Sequence, residues 1–171
     1  MMHPFRCQIC GESYLGPVAS ERCPFCGAAH KYLVPASEWR RIGKVELSEQ
    51  SIADVKQAIG LEMNNTAFYT ACRYKAQNQI SEALFARLAK QELEHAELEC
   101  DMIGVELPEK PTVECSAIDE ENFAESHRRE RRASTLYLQF AERAPEPRMK
   151  EVFYALADIE SEHLKISNMY R

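Results

Sequence analysis

The chain has 171 residues, a length that leaves room for one full domain and a small module. Hydrophobic residues make up 45% and charged residues 28% of the sequence, which excludes a disordered or collagen-like chain. No run of about 18 apolar residues occurs, so we expect no membrane-spanning helix. The net charge of −6 argues against partners such as nucleic acid or anionic membranes. The first residues lack the apolar segment of a signal peptide, and we expect a cytoplasmic protein.

Four of the seven cysteines form two Cys-x-x-Cys pairs near the start of the chain. Cys7 and Cys10 are the first pair, and Cys23 and Cys26 follow after twelve intervening residues. Four thiolates with this spacing are typical of one tetrahedral metal site, which holds either zinc or a single iron ion. A glycine follows each pair and permits the tight turn that points backbone amides at the sulfurs. We predict a small metal-binding β module over residues 1–38.

Helical patterns begin near residue 49 and are interrupted by glycine and proline. The predicted helices span 49–78, 82–103, 118–144 and 148–169. Short links make the first two helices and the last two helices antiparallel neighbours, whereas the link at 105–117 is long enough to cross the length of a bundle. After a connector at 36–48, the sequence therefore predicts a mainly α domain, a ferritin-like four-helix bundle with one long crossover, over residues 39–171.

The two predicted hairpins also resemble each other in sequence. A shift of 68 residues aligns residues 60–100 with the second hairpin without a gap, and nine of the 41 positions are identical. The matches include two Glu-x-x-His motifs, Glu92 with His95 and Glu160 with His163. Two copies of one helical hairpin suit a bundle with approximate two-fold symmetry.

Each Glu-x-x-His motif has a matched glutamate 30 residues upstream, Glu62 for the first motif and Glu130 for the second. Residues three apart share a helix face, and these faces also carry apolar residues. Carboxylates in an apolar stripe need partners, because an unpaired buried charge is very costly. Four inward glutamates and two inward histidines match the ligand pattern of ferritin-like di-iron and di-manganese proteins. We predict a dinuclear centre of iron or manganese between the four helices.

Two tyrosines, Tyr69 and Tyr137, lie two helical turns after Glu62 and Glu130. A phenol at this distance could donate a hydrogen bond to a ligand carboxylate. The other interpretation is that both are ordinary aromatic residues of the core.

Together, the four-cysteine motif and the doubled Glu and Glu-x-x-His set resemble the rubrerythrins, and most closely the variants in which a rubredoxin-like module precedes the bundle. The resemblance extends over essentially the whole chain. It implies a non-haem iron oxidoreductase that reduces hydrogen peroxide to water, with NADH as the distant electron source. It also implies an electron-donor protein of the rubredoxin or flavin-reductase type, iron at the four cysteines, and a homodimer in which electrons cross head to tail to the di-iron centre.

The resemblance also implies a role for each matched residue. Cys7, Cys10, Cys23 and Cys26 would hold the rubredoxin-like iron. Glu92 and Glu160 would bridge two irons, and Glu62 and Glu130 would be terminal carboxylate ligands. His95 and His163 would each ligate one iron. Tyr69 and Tyr137 would donate hydrogen bonds to ligand glutamates.

One position departs from the rubrerythrin pattern. Typical members carry a further glutamate one turn after the ligand on the third helix, where this chain has Ala133. The spacing from Glu130 to Tyr137 equals that from Glu62 to Tyr69, so we expect a more symmetric site. The missing carboxylate leaves the preference between hydrogen peroxide and dioxygen open. A dioxygen-reducing oxidase, an iron-storing ferroxidase and a zinc-stabilised interaction protein remain alternatives.

Overall fold

The structure is a computed structural model that describes residues 1–40 and 46–171. A small three-stranded sheet precedes four long helices, which confirms the predicted fold class. The predicted connector at 36–48 includes residues 41–45, which lie outside the described residues. Within the described ranges, no helix combines the length and apolar character needed to cross a membrane.

The N-terminal module is an antiparallel sheet in the order β2-β1-β3. Its strands are β1 (His3–Cys7), β2 (Ser13–Gly16) and β3 (Leu33–Pro35), and a short 3₁₀ turn at His30–Tyr32 leads into β3. The central strand, β1, pairs with both neighbours and ends at the first cysteine of the four-cysteine motif. The sheet therefore fixes the position of one side of the candidate metal site.

Four helices form the rest of the described chain, and each lies within three residues of its predicted bounds. They are α1 (Glu49–Lys75), α2 (Gln79–Ile103), α3 (Asp119–Arg143) and α4 (Pro147–Tyr170). Helix α1 packs along α2, and α3 packs along α4. A link of three residues connects the two helices of each pair. A crossover of fifteen residues, 104–118, joins the two hairpins.

The helix ends have clear local causes in the sequence. The Ser48 hydroxyl accepts a hydrogen bond from the Ser51 amide at 3.1 Å, and the Asn78 side chain caps the first turn of α2. Gly104 ends α2 in the left-handed conformation, with φ of 69°. Pro147 begins α4, where its missing N–H leaves no helical hydrogen bond unmade.

The interior of the bundle is apolar at both ends and polar in the middle. One apolar cluster is centred on Phe85 and Phe123, and the other contains Phe140 and Phe153 and continues into the N-terminal module. Along α1, α2 and α3, the predicted ligands Glu62, Glu92 and Glu130 lie where one cluster gives way to the other. The fold therefore places the predicted ligands in the centre of the bundle.

Candidate metal centres

The four cysteines of the N-terminal module converge on one point. The Cys7 and Cys26 sulfurs are 3.9 Å apart, the Cys10 and Cys23 sulfurs are 3.8 Å apart, and all four lie within 4.8 Å of one another. A tetrahedral metal with bonds of about 2.3 Å to sulfur separates its ligands by about 3.8 Å. The sulfur positions therefore fit a single tetrahedral ion, and the geometry suits zinc and iron alike.

Tight turns place the sulfurs. Gly11 and Gly27 follow the two pairs with φ of 80° and 84°, a conformation that residues with a Cβ rarely adopt. The Ile9 amide donates to the Cys7 sulfur at 3.3 Å. At Gly27, an added Cβ would also lie only 3.0 Å from the side-chain nitrogen of Gln91 on α2. Gly27 therefore serves both the turn and the contact between module and bundle.

All six predicted ligands of the bundle come together in its interior. Their side chains lie on all four helices, and their residues are 0–2% exposed: Glu62, Glu92, His95, Glu130, Glu160 and His163. They form two groups of four whose ligand atoms lie within 4.8 Å of one another. Glu92 and Glu160 belong to both groups, whereas the other four residues each belong to one.

Both histidines turn Nδ1 towards the carboxylates. Nδ1 of His95 lies 3.2 Å from Glu160 and 3.8 Å from Glu62. Nδ1 of His163 lies 3.0 Å from Glu92, 3.4 Å from Glu160 and 3.8 Å from Glu130.

The facing atoms of this cluster have no hydrogen-bond partners in the described part of the chain. They are both oxygens of Glu160, one oxygen of each other glutamate and Nδ1 of each histidine. Buried polar atoms are almost always satisfied in folded proteins, so seven orphaned atoms around one point indicate missing ligands. Four ionised carboxylates carry four negative charges, which two divalent cations would balance. The residues therefore fit a pair of metal ions.

Without metal, protons stabilise the cluster. Burial raises the pKa of Glu92 and Glu130, and the neighbouring carboxylates add to the effect. Burial alone would lower the pKa of His95, but the carboxylates of Glu160 and Glu62 raise it well above the usual histidine range. Metal binding must therefore release protons from these groups.

The two predicted tyrosines cross between the hairpins. Tyr69 on α1 donates to Glu130 on α3, and Tyr137 on α3 donates to Glu62 on α1. Their second partners differ: the Tyr69 oxygen lies 2.7 Å from the Ser126 hydroxyl, whereas the Tyr137 oxygen lies 2.7 Å from the Glu99 carboxyl. These contacts orient the two glutamates that belong to only one group each.

The outer nitrogen of each histidine is also held. Nε2 of His95 lies 3.0 Å from the backbone carbonyl of Cys26, and Nε2 of His163 lies 3.2 Å from the side-chain oxygen of Gln91. Both oxygens only accept hydrogen bonds, so Nε2 keeps a proton and Nδ1 is the nitrogen that binds a metal after losing its own proton. The His95 contact also joins the bundle cluster to a residue of the four-cysteine site.

Further polar contacts fasten the module to its own bundle. The Arg22 guanidinium pairs with Asp158 at 2.7 Å and with Glu162 at 3.3 Å. On α2, Arg87 donates to the Phe25 carbonyl at 2.6 Å. These contacts keep the carbonyl of Cys26 close to His95.

Two residues beside the cluster were not predicted from the sequence. Glu99 is fully buried and lies seven residues after Glu92, a spacing that places both on one helix face. Asn65 donates to Glu92 at 3.3 Å and accepts from Arg129, also at 3.3 Å. The spacing of Glu99 could have revealed it, whereas the role of Asn65 depends on how the helices pack.

The expected symmetry extends to the six ligands and to the two tyrosines that contact Glu62 and Glu130. Ala133 is fully buried, and its equivalent after the shift of 68 residues is Asn65. Glu99 is likewise equivalent to Ser167. The ligands and their tyrosines are thus matched between the hairpins, whereas the further residues beside them, such as Asn65 and Glu99, are not.

The comparisons with known proteins point in the same direction. No protein-family model matches the chain. Over 115 residues, the chain is 27% identical to reverse rubrerythrin-1 of Clostridium acetobutylicum. The match covers 60% of this chain and 63% of that protein, so the chain spans less than two thirds of that relative's length. This similarity and the two candidate metal sites support a distant relationship to the rubrerythrins and a non-haem iron redox protein.

Proposed function

We propose that this protein is a non-haem iron oxidoreductase that reduces hydrogen peroxide to water. The observation that carries the proposal is that Glu92 and Glu160 belong to two four-residue groups at once, beside a four-cysteine site. Shared carboxylates suit a pair of metal ions. In this assignment Glu92 and Glu160 would be ligands of both metals, and Glu62 with His95 and Glu130 with His163 would each hold one.

Reduction of hydrogen peroxide to two waters consumes two electrons and two protons. Two ferrous ions held by these residues would supply one electron each and would polarise the substrate from both sides. The protein supplies a buried site that excludes bulk water, which strengthens every electrostatic interaction within it. Tyr69 and Tyr137 hold one oxygen of each terminal glutamate and leave the other oxygen facing the cluster.

The four-cysteine site serves in this proposal as the electron entry point. Cys10 is its partly exposed member, whereas the other three cysteines are buried, so an external electron-donor protein would approach near Cys10. The hydrogen bond from His95 to the Cys26 carbonyl then offers a short route to the bundle within one chain. We therefore propose electron transfer within a chain, in place of the transfer across a head-to-tail dimer that the rubrerythrin resemblance implied.

Dioxygen is the second candidate substrate, because Ala133 leaves no carboxylate where typical rubrerythrins have one. Its side chain is buried among the bundle helices and offers no ligand atom. An oxidase or ferroxidase would use the same six ligands, so the substrate must be decided by kinetics.

The test is a mixing experiment with the iron-loaded protein. The protein is reduced without air and mixed with hydrogen peroxide or with dissolved oxygen, and the returning colour of the ferric four-thiolate site is followed. We expect a rapid return with peroxide and a slow return with oxygen. A faster return with oxygen would favour the oxidase, and a colourless protein would mean that the four cysteines hold zinc or no metal.

Two variants on one helix tie this activity to the bundle. Glu92→Ala removes a shared ligand and should abolish peroxide turnover. Glu97→Ala removes an exposed glutamate five residues later and should leave turnover unchanged. Full peroxide turnover by a Glu92→Ala protein that has lost the bundle metals would refute the assignment.

A further inference from the structure

Two carboxyl groups share one phenol oxygen beside the candidate dinuclear site. The Tyr137 oxygen contacts Glu62 on one side and Glu99, at 2.7 Å, on the other. Glu99 is fully buried on α2, and its second oxygen has no hydrogen-bond partner in the described part of the chain. Glu99, Tyr137 and the predicted metal ligand Glu62 therefore form a hydrogen-bonded row.

Counting hydrogens shows that this row holds an extra proton. The phenol has one hydrogen and can donate it to only one carboxylate. A second carboxylate at hydrogen-bond distance must therefore be protonated and donate to the phenol oxygen. In the metal-loaded protein Glu62 is an ionised ligand, which leaves Glu99 as the protonated member.

The charge balance leads to the same assignment. Two divalent cations balance the four ligand glutamates, so a fifth buried carboxylate would have no counter-charge. Burial raises the pKa of Glu99 to about 8. The charged groups around it are His95 and Glu92 on its own helix, Glu160 on α4, and the Tyr137–Glu62 pair.

The second hairpin provides an internal comparison. Tyr69 makes the equivalent contact with Glu130, but its other partner is the Ser126 hydroxyl. The position equivalent to Glu99 is Ser167, whose hydroxyl donates to the Leu164 carbonyl of its own helix. A buried acid therefore stands behind only one of the two tyrosines.

We propose that Glu99 is an internal proton donor, which delivers one proton through Tyr137 to Glu62 during reduction of the substrate. The Glu99 proton moves to the phenol oxygen while the phenol proton moves to the Glu62 oxygen that faces Tyr137. The Glu62 carboxyl group then turns and passes this proton to the oxygen released by O–O cleavage. This supplies one of the two protons that peroxide reduction consumes, and the other comes from solvent. Glu99 becomes a carboxylate and regains its proton from solvent. The role rests on the proposed function, whereas the protonation of Glu99 does not.

Infrared spectroscopy of the reduced, metal-loaded protein tests the protonation directly. A protonated carboxylic acid gives a carbonyl band that ionised carboxylates lack. We expect one such band in the native protein, its loss in Glu99→Gln and its retention in Glu97→Gln. Absence of the band in the native protein, or its survival in Glu99→Gln, would overturn the proposal whatever the substrate is.

Single-turnover oxidation tests the transfer. Glu99→Gln keeps the shape and a hydrogen-bond donor but has no proton to transfer, so its oxidation by peroxide should slow at least about tenfold. Tyr137→Phe breaks the row while keeping the acid, and it should slow oxidation similarly while retaining the infrared band. It also carries the test if Glu99→Gln fails to bind metal. Native rates in either metal-loaded variant would overturn the relay, and failure of the native protein to react with peroxide would instead refute the proposed function.

Discussion

The two hairpins of the bundle carry the same ligands but different surroundings. Glu62, Glu92 and His95 in one hairpin are matched by Glu130, Glu160 and His163 in the other. Behind the ligands, His95 reaches the Cys26 carbonyl, whereas His163 reaches the Gln91 side chain. The residues behind the two tyrosines differ as well, with an acid on one side and a hydroxyl on the other.

The additional contacts all lie beside the same half of the centre, the group that contains Glu62 and His95. The contact with the four-cysteine site reaches His95, and the row from Glu99 reaches Glu62, and both ligands belong to the same four-residue group. The other group has neither contact in the described residues. The repeat thus preserves what two metals need, and its divergence places the candidate electron and proton routes beside one of them.

The largest expected effect is on metal content, and it should distinguish ligands that belong to both four-residue groups from ligands that belong to one. Glu92→Ala removes a carboxylate that belongs to both groups, so the protein should fall from two bundle metals per chain to none. Glu130→Ala removes a ligand of one group and should leave one metal at the Glu62 and His95 group. The measurement is metal content per chain after desalting, with Glu97→Ala as the control. Retention by Glu92→Ala of a bundle metal, in addition to the one held by the four cysteines, would contradict the shared role.

The second prediction concerns the electron route to the His95 half. Two inactive variants are mixed, one with Cys10→Ala and Cys23→Ala and the other with Glu92→Ala. If electrons pass within a chain, no chain in the mixture has both sites intact, and peroxide turnover should stay at background. Recovery of activity on mixing would show transfer between chains and would support the head-to-tail dimer. The native protein diluted over the same concentration range is the control.

The sequence predicted the matched part of the molecule well. Helix bounds followed from Pro and Gly signals, and the ligands followed from a repeat that places Glu92 and Glu160 in register. The unmatched part could not be found in this way, because a repeat reveals only what both copies keep. Glu99 aligns with Ser167, so the repeat does not reveal it, although its spacing of seven residues from Glu92 places both on one helix face. The contact between His95 and Cys26 depends on how the module docks, which no local pattern encodes.

The third prediction is that metal affinity rises with pH. In the metal-free protein, burial raises the pKa of Glu92 and Glu130, and the carboxylates around His95 raise its pKa against the effect of burial. A metal binds the deprotonated forms, so each proton released on binding changes the affinity about tenfold per pH unit. The affinity should therefore fall as the pH is lowered.

Titration with Mn²⁺ at several pH values, in a calorimeter, measures this slope. A Glu130→Ala chain isolates the half of the centre that contains Glu62 and His95, and its slope should remain positive with fewer protons released in total. An affinity that does not change with pH would mean that the cluster is already deprotonated without metal.

The smallest effect is expected at the edge of the contact between module and bundle. Arg22 is partly exposed and pairs with Asp158 and Glu162, and exposed ion pairs of this kind contribute about 0–1 kcal/mol. Arg22→Ala should therefore slow electron transfer to the bundle by less than about fivefold, leave metal content unchanged, and reduce the salt dependence of the transfer rate. Arg87→Ala removes donors to the carbonyls of Pro24 and Phe25, next to Cys26, and should slow transfer more. Rapid mixing measures the rate of electron transfer in both variants. If this rate falls more in Arg22→Ala than in Arg87→Ala, the ion pairs, and not the backbone contacts around Cys26, hold the module against the His95 half of the centre.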